Sequence, residues 1–203
     1  MHHSPMAIRW SLLPPQRGEA TTPDLAAARL AAGQWSIVDL ADLRACGMSP
    51  KAIETRVARG ILHPLYRGVF AWGHPNIPME GHFLAAVKAC GRYAVLSHYS
   101  AAALHVLVNW DGRPFEITAR SKHSHPRINA HRSADVERML IKGIPVTPKL
   151  RTVVDLARVE RDDVVKRALR AAKVQRRRAR AAPAQDPGAG CRPHTQPARG
   201  QRL

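Results

Sequence analysis

The sequence predicts an α+β protein with an N-terminal winged helix-turn-helix, a small α+β domain and a disordered basic tail. Capped helical segments precede two short strands, helix and strand patterns then alternate, and the chain ends in Arg-, Pro- and Gly-rich sequence without a period. We expect a flexible leader at 1–22, the winged helix-turn-helix at 23–73, the α+β domain at 79–158, a basic helix at 159–182 and the disordered tail at 183–203.

The charge of the chain favours a polyanionic partner. The 203 residues carry 32 Lys and Arg against 15 Asp and Glu, which gives a formal net charge of +17. Residues 156–203 alone carry 13 basic and 4 acidic side chains, so more than half of the net charge lies in the last quarter. The net charge therefore overstates how basic the predicted folded part is.

The cysteines and the apolar runs indicate a soluble cytoplasmic protein. Cys46, Cys90 and Cys191 are widely spaced and form no C-x-x-C pair, which favours reduced thiols over disulfides or structural zinc. No run approaches the roughly 18 to 20 apolar residues of a membrane helix, and the N-terminus lacks a secretory apolar stretch. We expect no membrane association.

The first two helices are predicted from their end signals. Ala- and Leu-rich sequence from Asp24 to Ala32 ends at Gly33, which is typical of a helix C-terminus. Ser36 is predicted to cap the second helix, with Asp39 three residues later completing a capping box, and Gly47 ends it.

The third helix has the clearest signals in the sequence. Ser49 is a good N-cap, Pro50 fits the first helical position and Gly60 follows the end. Only Gly47, Met48 and Ser49 separate it from the second helix, a connection typical of a helix-turn-helix. Ile53 and Val57 form a narrow apolar stripe on this helix.

The opposite face of this helix carries polar and basic side chains. Lys51, Thr55 and Arg59 group there, and we expect them to enter a DNA major groove, although a solvated helix face is the alternative. Arg56 lies near the edge of the apolar stripe, where it can pair with a neighbouring acid or with DNA. Ser49 is expected to contact phosphate.

Two short strands are predicted after the third helix. Residues 61–72 are rich in β-branched and aromatic side chains and fold back at Arg67-Gly68, with Pro64 tolerable only on an edge strand. Such a hairpin completes a winged helix-turn-helix. His63 and Arg67 are placed to meet the phosphate backbone beside the groove.

The second domain shows alternating helix and strand patterns. A helix through Phe83 ends at Gly91, and Ser97 is predicted to cap another. Strict alternation over Phe115–Arg120 predicts a half-buried strand. Further elements are strands at 93–96, 128–131 and 144–146, a helix opened by Thr147-Pro148, and a basic helix from Asp162.

No catalytic or metal site is predicted. None of the seven lysines follows Asp or Glu at a spacing of two residues, so the acid-x-Lys pattern of metal-dependent nucleases is absent. Five histidines raise a metal hypothesis, but we interpret them as packed or surrounded by cations. They are His98, His105, His123, His125 and His131. No cofactor is expected.

A loop in the second domain forms a candidate second phosphate-contacting patch. Its basic residues are Arg120, Lys122 and Arg127. An exposed hairpin tip without a ligand is the alternative interpretation.

Part of the chain resembles the winged-helix domain of AbiEi-type antitoxins, which belong to type IV toxin-antitoxin (abortive infection) systems. The segment that carries this resemblance is residues 36–70, S-I-V-D-L-A-D-L-R-A-C-G-M-S-P-K-A-I-E-T-R-V-A-R-G-I-L-H-P-L-Y-R-G-V-F. Four later segments resemble the second half of that family. They are L-S-H-Y-S-A-A-A-L at 96–104, F-E-I-T at 115–118, A-H-R-S at 130–133 and G-I-P-V-T-P-K-L-R-T-V-V-D-L-A at 143–157. The Arg-rich segment after Ala172 has no counterpart in the family, so we expect an atypical or truncated C-terminus.

The resemblance implies a DNA-binding transcriptional regulator that acts as an antitoxin and autorepressor. Its implied partners are double-stranded DNA at its own promoter and a nucleotidyltransferase-like toxin. Because one short helix reads only a few base pairs, we also expect a homodimer or cooperative pairs. The alternatives are a protein-interaction module that neutralises a toxin without specific DNA binding, and the remnant of a nuclease-fused relative.

Overall fold

The fold was analysed in a computed structural model that describes residues 22–121, 125 and 127–181. The leader expected at 1–22, except Thr22, and the tail expected at 183–203 lie outside the described residues, as does Lys122. The seven helices of the described part are α1 Pro23–Ala32, α2 Leu40–Ala45, α3 Pro50–Ala58, α4 Met79–Ala89, α5 His98–Leu104, α6 Lys149–Val159 and α7 Asp162–Ala181. Its eight strands are β1 Ile37–Asp39, β2 Leu62–Tyr66, β3 Val69–Trp72, β4 Val95–Leu96, β5 Phe115–Ala119, β6 Ile128–Arg132, β7 Met139–Ile141 and β8 Ile144–Val146.

The first 50 or so described residues form three helices and a three-stranded antiparallel sheet in the order β1-β3-β2. Ala27, Val38, Leu43, Ile53 and Leu62 are buried together in the core of this part. The predicted hairpin is present, and its turn lies at Arg67-Gly68. Strand β2 lies at the edge of the sheet, where the backbone N–H that Pro64 lacks is not needed for pairing with a second neighbouring strand. The predicted α+β class is confirmed.

The second helix begins at Leu40, so its predicted start at Ser36 was wrong. Trp35 and Ser36 both adopt positive φ angles, of 55° and 64°, which turn the chain away from a helix. The next three residues pair with β3 as strand β1. Asp39 is the actual N-cap, and Asp42 closes the capping box from the third helical position.

The second sheet has five strands in the order β6-β5-β4-β8-β7. Because β5 lies in its interior, all five of its residues are buried, and the predicted half-buried strand is corrected to a fully buried one. Its polar members Glu116 and Thr118 face a polar cluster rather than water. The edge strand β7 was not predicted.

Two predicted helix caps differ in the structure. Ser97 precedes α5, but its hydroxyl makes no capping bond and lies 3.0 Å from Nδ1 of His98. Helix α6 begins one residue later than its cap signature implied, and Thr147 instead shares a 2.8 Å hydrogen bond with the Thr152 hydroxyl. In both places the hydroxyl is close to a buried side chain and does not cap a free backbone amide at the helix start.

The two parts of the molecule share a hydrophobic core. Ile37, Val69 and Ala71 from the first sheet are buried in one cluster with Phe83 of α4 and Ile117 of β5. The Trp35 indole N–H also donates to the Lys142 carbonyl at 2.9 Å. The second domain therefore packs directly behind the sheet of the winged helix. Within the described residues, every helix is too short or too polar to cross a bilayer.

Candidate nucleic-acid interface

Helix α3 forms because its end signals and its apolar stripe agree. The Ser49 hydroxyl accepts a hydrogen bond from the Ala52 amide at 3.2 Å, and Pro50 occupies the first turn. Ile53 is buried against the core, and Val57 packs beside it. The sequence therefore fixes which face of α3 points inward and leaves the opposite face to solvent.

The outward face of α3 presents the basic side chains that the sequence singled out. The Lys51 side chain is 87% exposed, and its ammonium lies 3.4 Å from the Glu54 carboxylate. The Thr55 hydroxyl donates to the Lys51 carbonyl at 2.9 Å, and Arg59 is exposed at the end of the helix. An exposed ion pair of this kind contributes only about 0–1 kcal/mol, so a phosphate can replace Glu54 at little cost.

Arg56 takes the intramolecular alternative that the sequence left open. Its guanidinium pairs with the Asp24 carboxylate of α1 at 2.5 Å and donates to the Ala52 carbonyl at 2.8 Å. The hydrogen bond from Arg56 is the main cause that lowers the pKa of Asp24 below its usual value. Arg56 thus joins α3 to α1, and its charge is already matched within the protein.

The hairpin that follows α3 carries two further predicted residues, and its turn lies against the start of α2, where the Leu40 amide donates to the Gly68 carbonyl at 3.0 Å. Arg67 is exposed in the turn between β2 and β3, next to Gly68 at φ +76°. His63 lies on β2, half-buried, with Nε2 3.4 Å from the Gly73 carbonyl. Arg67 is therefore the freer of the two side chains.

Part of the predicted second patch lies next to the wing. The His125 ring meets the ring of Tyr66 on β2 edge-on, with their centroids 5.9 Å apart. Arg127 follows, is exposed, and donates to the Gly112 carbonyl at 3.0 Å. Arg120 lies elsewhere, over the Tyr93 ring at 4.9 Å from its centroid. Lys122 is outside the described residues, and the two described members, Arg127 and Arg120, lie at opposite ends of β5.

A cleft between the two parts of the molecule was not predicted from the sequence. It has a volume of about 760 Å³ and is lined by residues of α1, α2 and the wing turn on one side and of α4, β7 and β8 on the other. Leu140 on the outer strand β7 borders the cleft and is 60% exposed. Its walls come from segments about 100 residues apart, so no local pattern could have indicated it.

Comparison with known proteins finds a family match in the first part of the chain. Residues 26–71, which run from α1 to the end of the wing, match a family model described as transcriptional regulator, AbiEi antitoxin. The chain matches none of the curated proteins. The matched segment contains α3, β2 and all but the last residue of β3, so the family match and the candidate interface concern the same part of the chain.

Proposed function

We propose, from the match of residues 26–71 to the AbiEi antitoxin transcriptional regulators, that this protein binds double-stranded DNA at its own promoter and represses transcription. The outward face of α3 carries the proposal. Lys51, Thr55 and Arg59 enter the major groove, while Ser49, His63 and Arg67 contact phosphates. Arg56 supports α3 from behind through Asp24.

The dimensions of α3 support this proposal. Nine helical residues span about 14 Å, and the major groove is about 12 Å wide, so the helix fits with its basic face toward the bases. Strand β2 packs against α3, so the hairpin, with Arg67 in its turn, can reach phosphates beside the groove. A helix of this length covers only a few base pairs, which is why we expect two copies to act on one operator.

Substitution of the two exposed cations of α3 tests the proposal. We expect Lys51→Ala and Arg59→Ala each to weaken binding to a fragment of the native promoter. A residue that contacts phosphate lowers the salt slope by about 1, and one that contacts a base costs about 1 to 3 kcal/mol at one position of the site. Fluorescence anisotropy over a range of salt concentrations separates these outcomes.

Arg161→Ala is the matched control for this test. Its side chain is 90% exposed just before α7, in the second domain, and the substitution removes the same charge. If the control weakens binding as much as the α3 variants do, binding reflects net charge alone and the assignment of α3 is wrong. Unchanged binding by both α3 variants contradicts it as well.

A protein interface that neutralises a toxin is the second candidate function, and strand β7 is the observation that favours it. Met139 and Leu140 are exposed on this outermost strand of the five-stranded sheet, beside the cleft. An unpaired strand edge with exposed apolar side chains is a ready surface for a partner chain. The partner that the family resemblance implies is a nucleotidyltransferase-like toxin encoded next to this chain.

We expect Leu140→Arg to abolish rescue of cells from that toxin while DNA binding stays unchanged, because the charge disrupts an apolar contact on β7 and leaves the residues of α3 in place. Leu150→Arg is the control, since Leu150 is 80% exposed on α6. Growth after toxin induction is the measurement. Full rescue by the Leu140 variant would exclude β7 as the interface.

A further inference from the structure

A second polar site lies in the α+β domain, outside the proposed DNA interface. The four segments of the second domain that resemble the antitoxin family are far apart in the sequence, yet each contributes to it. They supply His98 at the start of α5, Glu116 on β5, His131 on β6 and Asp155 on α6. The fold thus brings these four polar residues of the domain together.

The centre of this cluster is built from two imidazoles and a carboxylate. The rings of His98 and His131 stack with centroids 3.9 Å apart, and His98 adopts a positive φ of 48°. The Glu116 carboxylate accepts a hydrogen bond from the Tyr99 amide at 2.7 Å and lies 3.6 Å from Nε2 of His131. A strained backbone that holds two histidines face to face is typical of a functional site.

The cluster opens to a pocket of about 200 Å³ that carries excess positive charge. Arg132, Arg151 and Arg158 line it, and Asp155 is its single carboxylate among the described lining residues. Arg151 is already held by Asp155 at 2.9 Å and by Glu137 at 3.8 Å, and Arg158 lies 3.9 Å from the same Asp155 oxygen with its side chain 68% exposed. Arg132 is exposed on β6, and the described part of the chain places no carboxylate in ion-pairing distance of it.

Asp155 supplies a second, independent indication of a ligand. Its side chain is 3% exposed, and one carboxylate oxygen, Oδ1, accepts from Arg151. The other, Oδ2, is buried in the pocket wall without a hydrogen-bond partner among the described residues. Leaving a buried charged acceptor unpaired is costly, so the site is suited to a ligand that brings a donor with its negative charge.

We propose that this pocket binds a phosphoryl group in its singly protonated form. The guanidinium groups of Arg132 and Arg158 and the imidazole of His131 surround its oxygens, and its P–OH donates to Oδ2 of Asp155. Guanidinium groups are well matched to phosphate oxygens, and the volume is below the roughly 300 to 1,000 Å³ of pockets for larger organic ligands. The described residues contain no group of three metal-ligating side chains, and three arginines would repel a cation.

Comparison of phosphate with sulfate tests the role of Asp155. At pH 6 inorganic phosphate keeps protons that it can donate, whereas sulfate has none and would meet the Asp155 carboxylate with bare oxygens. We expect isothermal titration calorimetry on the full chain to show one phosphate bound per chain and sulfate at least 10-fold weaker. Asp155→Asn should remove this preference, because an amide can donate to either anion. Equal binding of the two anions by the wild-type protein overturns the proposal.

A second variant keeps the test valid if Asp155→Asn does not fold. Arg132 is exposed on β6, so Arg132→Ala should fold normally and weaken phosphate binding at least 10-fold, while Arg161→Ala leaves it unchanged. Equal loss in both variants, or none in either, contradicts the site. These results do not depend on whether α3 binds DNA.

The source of the phosphoryl group is distinguished by three further ligands. Stronger binding of a 5′-phosphorylated oligonucleotide than of the same strand with a 5′-hydroxyl, with the difference lost in Arg132→Ala, identifies a nucleic-acid end. If adenosine monophosphate instead binds like inorganic phosphate and the two strands bind equally, the ligand is a small phosphate ester. Absence of Arg132-dependent binding of any of them overturns the proposal.

Discussion

Lys88 joins the two parts of the molecule through a single ammonium group. It projects from α4 and contacts the carboxylates of Asp39 at 2.8 Å and Asp42 at 2.7 Å, which form the capping box of α2. All three side chains are at most one-quarter exposed, so the ion pairs are screened less than those at the surface. Lys88 therefore links the start of α2 to α4, in addition to the hydrophobic core that the two parts share.

We expect Lys88→Met to lower the free energy of unfolding by about 1 to 3 kcal/mol. The methionine keeps the apolar stem but leaves two neighbouring carboxylates without their cation. Urea denaturation followed by circular dichroism measures the change. The exposed Lys51→Met is the control and should stay within about 0.5 kcal/mol of the wild type. A Lys88 variant as stable as the control would show that the carboxylates are adequately solvated.

The sequence could not reveal this arrangement at the residue scale. Ser36–Asp39 and Asp39–Asp42 have the same spacing of three residues, so both satisfy a capping-box pattern. The second is used because Ile37 and Val38 pair with β3, and Lys88 then binds the two carboxylates. Both causes are tertiary contacts with residues at least 30 positions away.

The wing turn depends on Gly68 for two separate reasons. Its φ of +76° is unfavourable for any residue with a Cβ, and a Cβ there would lie 3.0 Å from Cδ1 of Leu40. Gly60, after α3, has a similar φ of +68° but open space around it. Comparing substitutions at the two glycines therefore distinguishes the cost of backbone strain alone from the cost of strain plus steric contact.

We expect Gly60→Ala to cost about 1 kcal/mol of unfolding free energy and Gly68→Ala distinctly more, since Leu40 must also move. Thermal denaturation of both variants provides the comparison. DNA affinity should fall further for Gly68→Ala, because the displaced turn carries Arg67. Equal destabilisation by the two substitutions would mean that the Leu40 side chain moves aside at no cost in free energy.

Elements with complete local signals were predictable, and short sheet strands were not. Helix α3 was predicted from Ser49, Pro50 and Gly60, and all three lie where the signals placed them. Strand β7 is three residues long, and its pairing with β8 decides its structure. The polarity of β5 misled because Glu116 is buried against a histidine, a contact that alternation alone cannot distinguish from exposure to water.

The whole molecule should lose stability in mild acid. Burial is the largest cause that lowers the pKa of His82, His98 and His105, with nearby cations or imidazoles adding to it. On unfolding, each pKa returns to about 6.5. Because these pKa values are lower in the folded protein, the full stability is present above about pH 6.5, where the three histidines are neutral in both states. As pH falls below about 6.5, the unfolded chain binds protons first and the stabilisation is lost.

We therefore expect the free energy of unfolding to be constant near pH 7.5 and to decrease steadily from about pH 6.5 to 5. Urea denaturation at half-unit intervals of pH measures this slope. His105→Gln removes one of the three groups while keeping a side-chain amide near the Thr147 carbonyl, so its slope should be shallower. Stability that is flat or rising toward pH 5 would show that these imidazoles already bind their protons in the native state.

Under the proposed function, the core that Ile37, Val69 and Ala71 share with the second domain also restricts how α3 can be positioned on an operator. Because the winged helix is packed rigidly against the second domain, it cannot rotate independently to follow a half-site that has moved. In a pair of such chains, one extra base pair between half-sites turns one half-site by about 35° around the duplex axis and moves it about 3.4 Å. The operator should therefore tolerate single base-pair substitutions better than insertions or deletions between its half-sites.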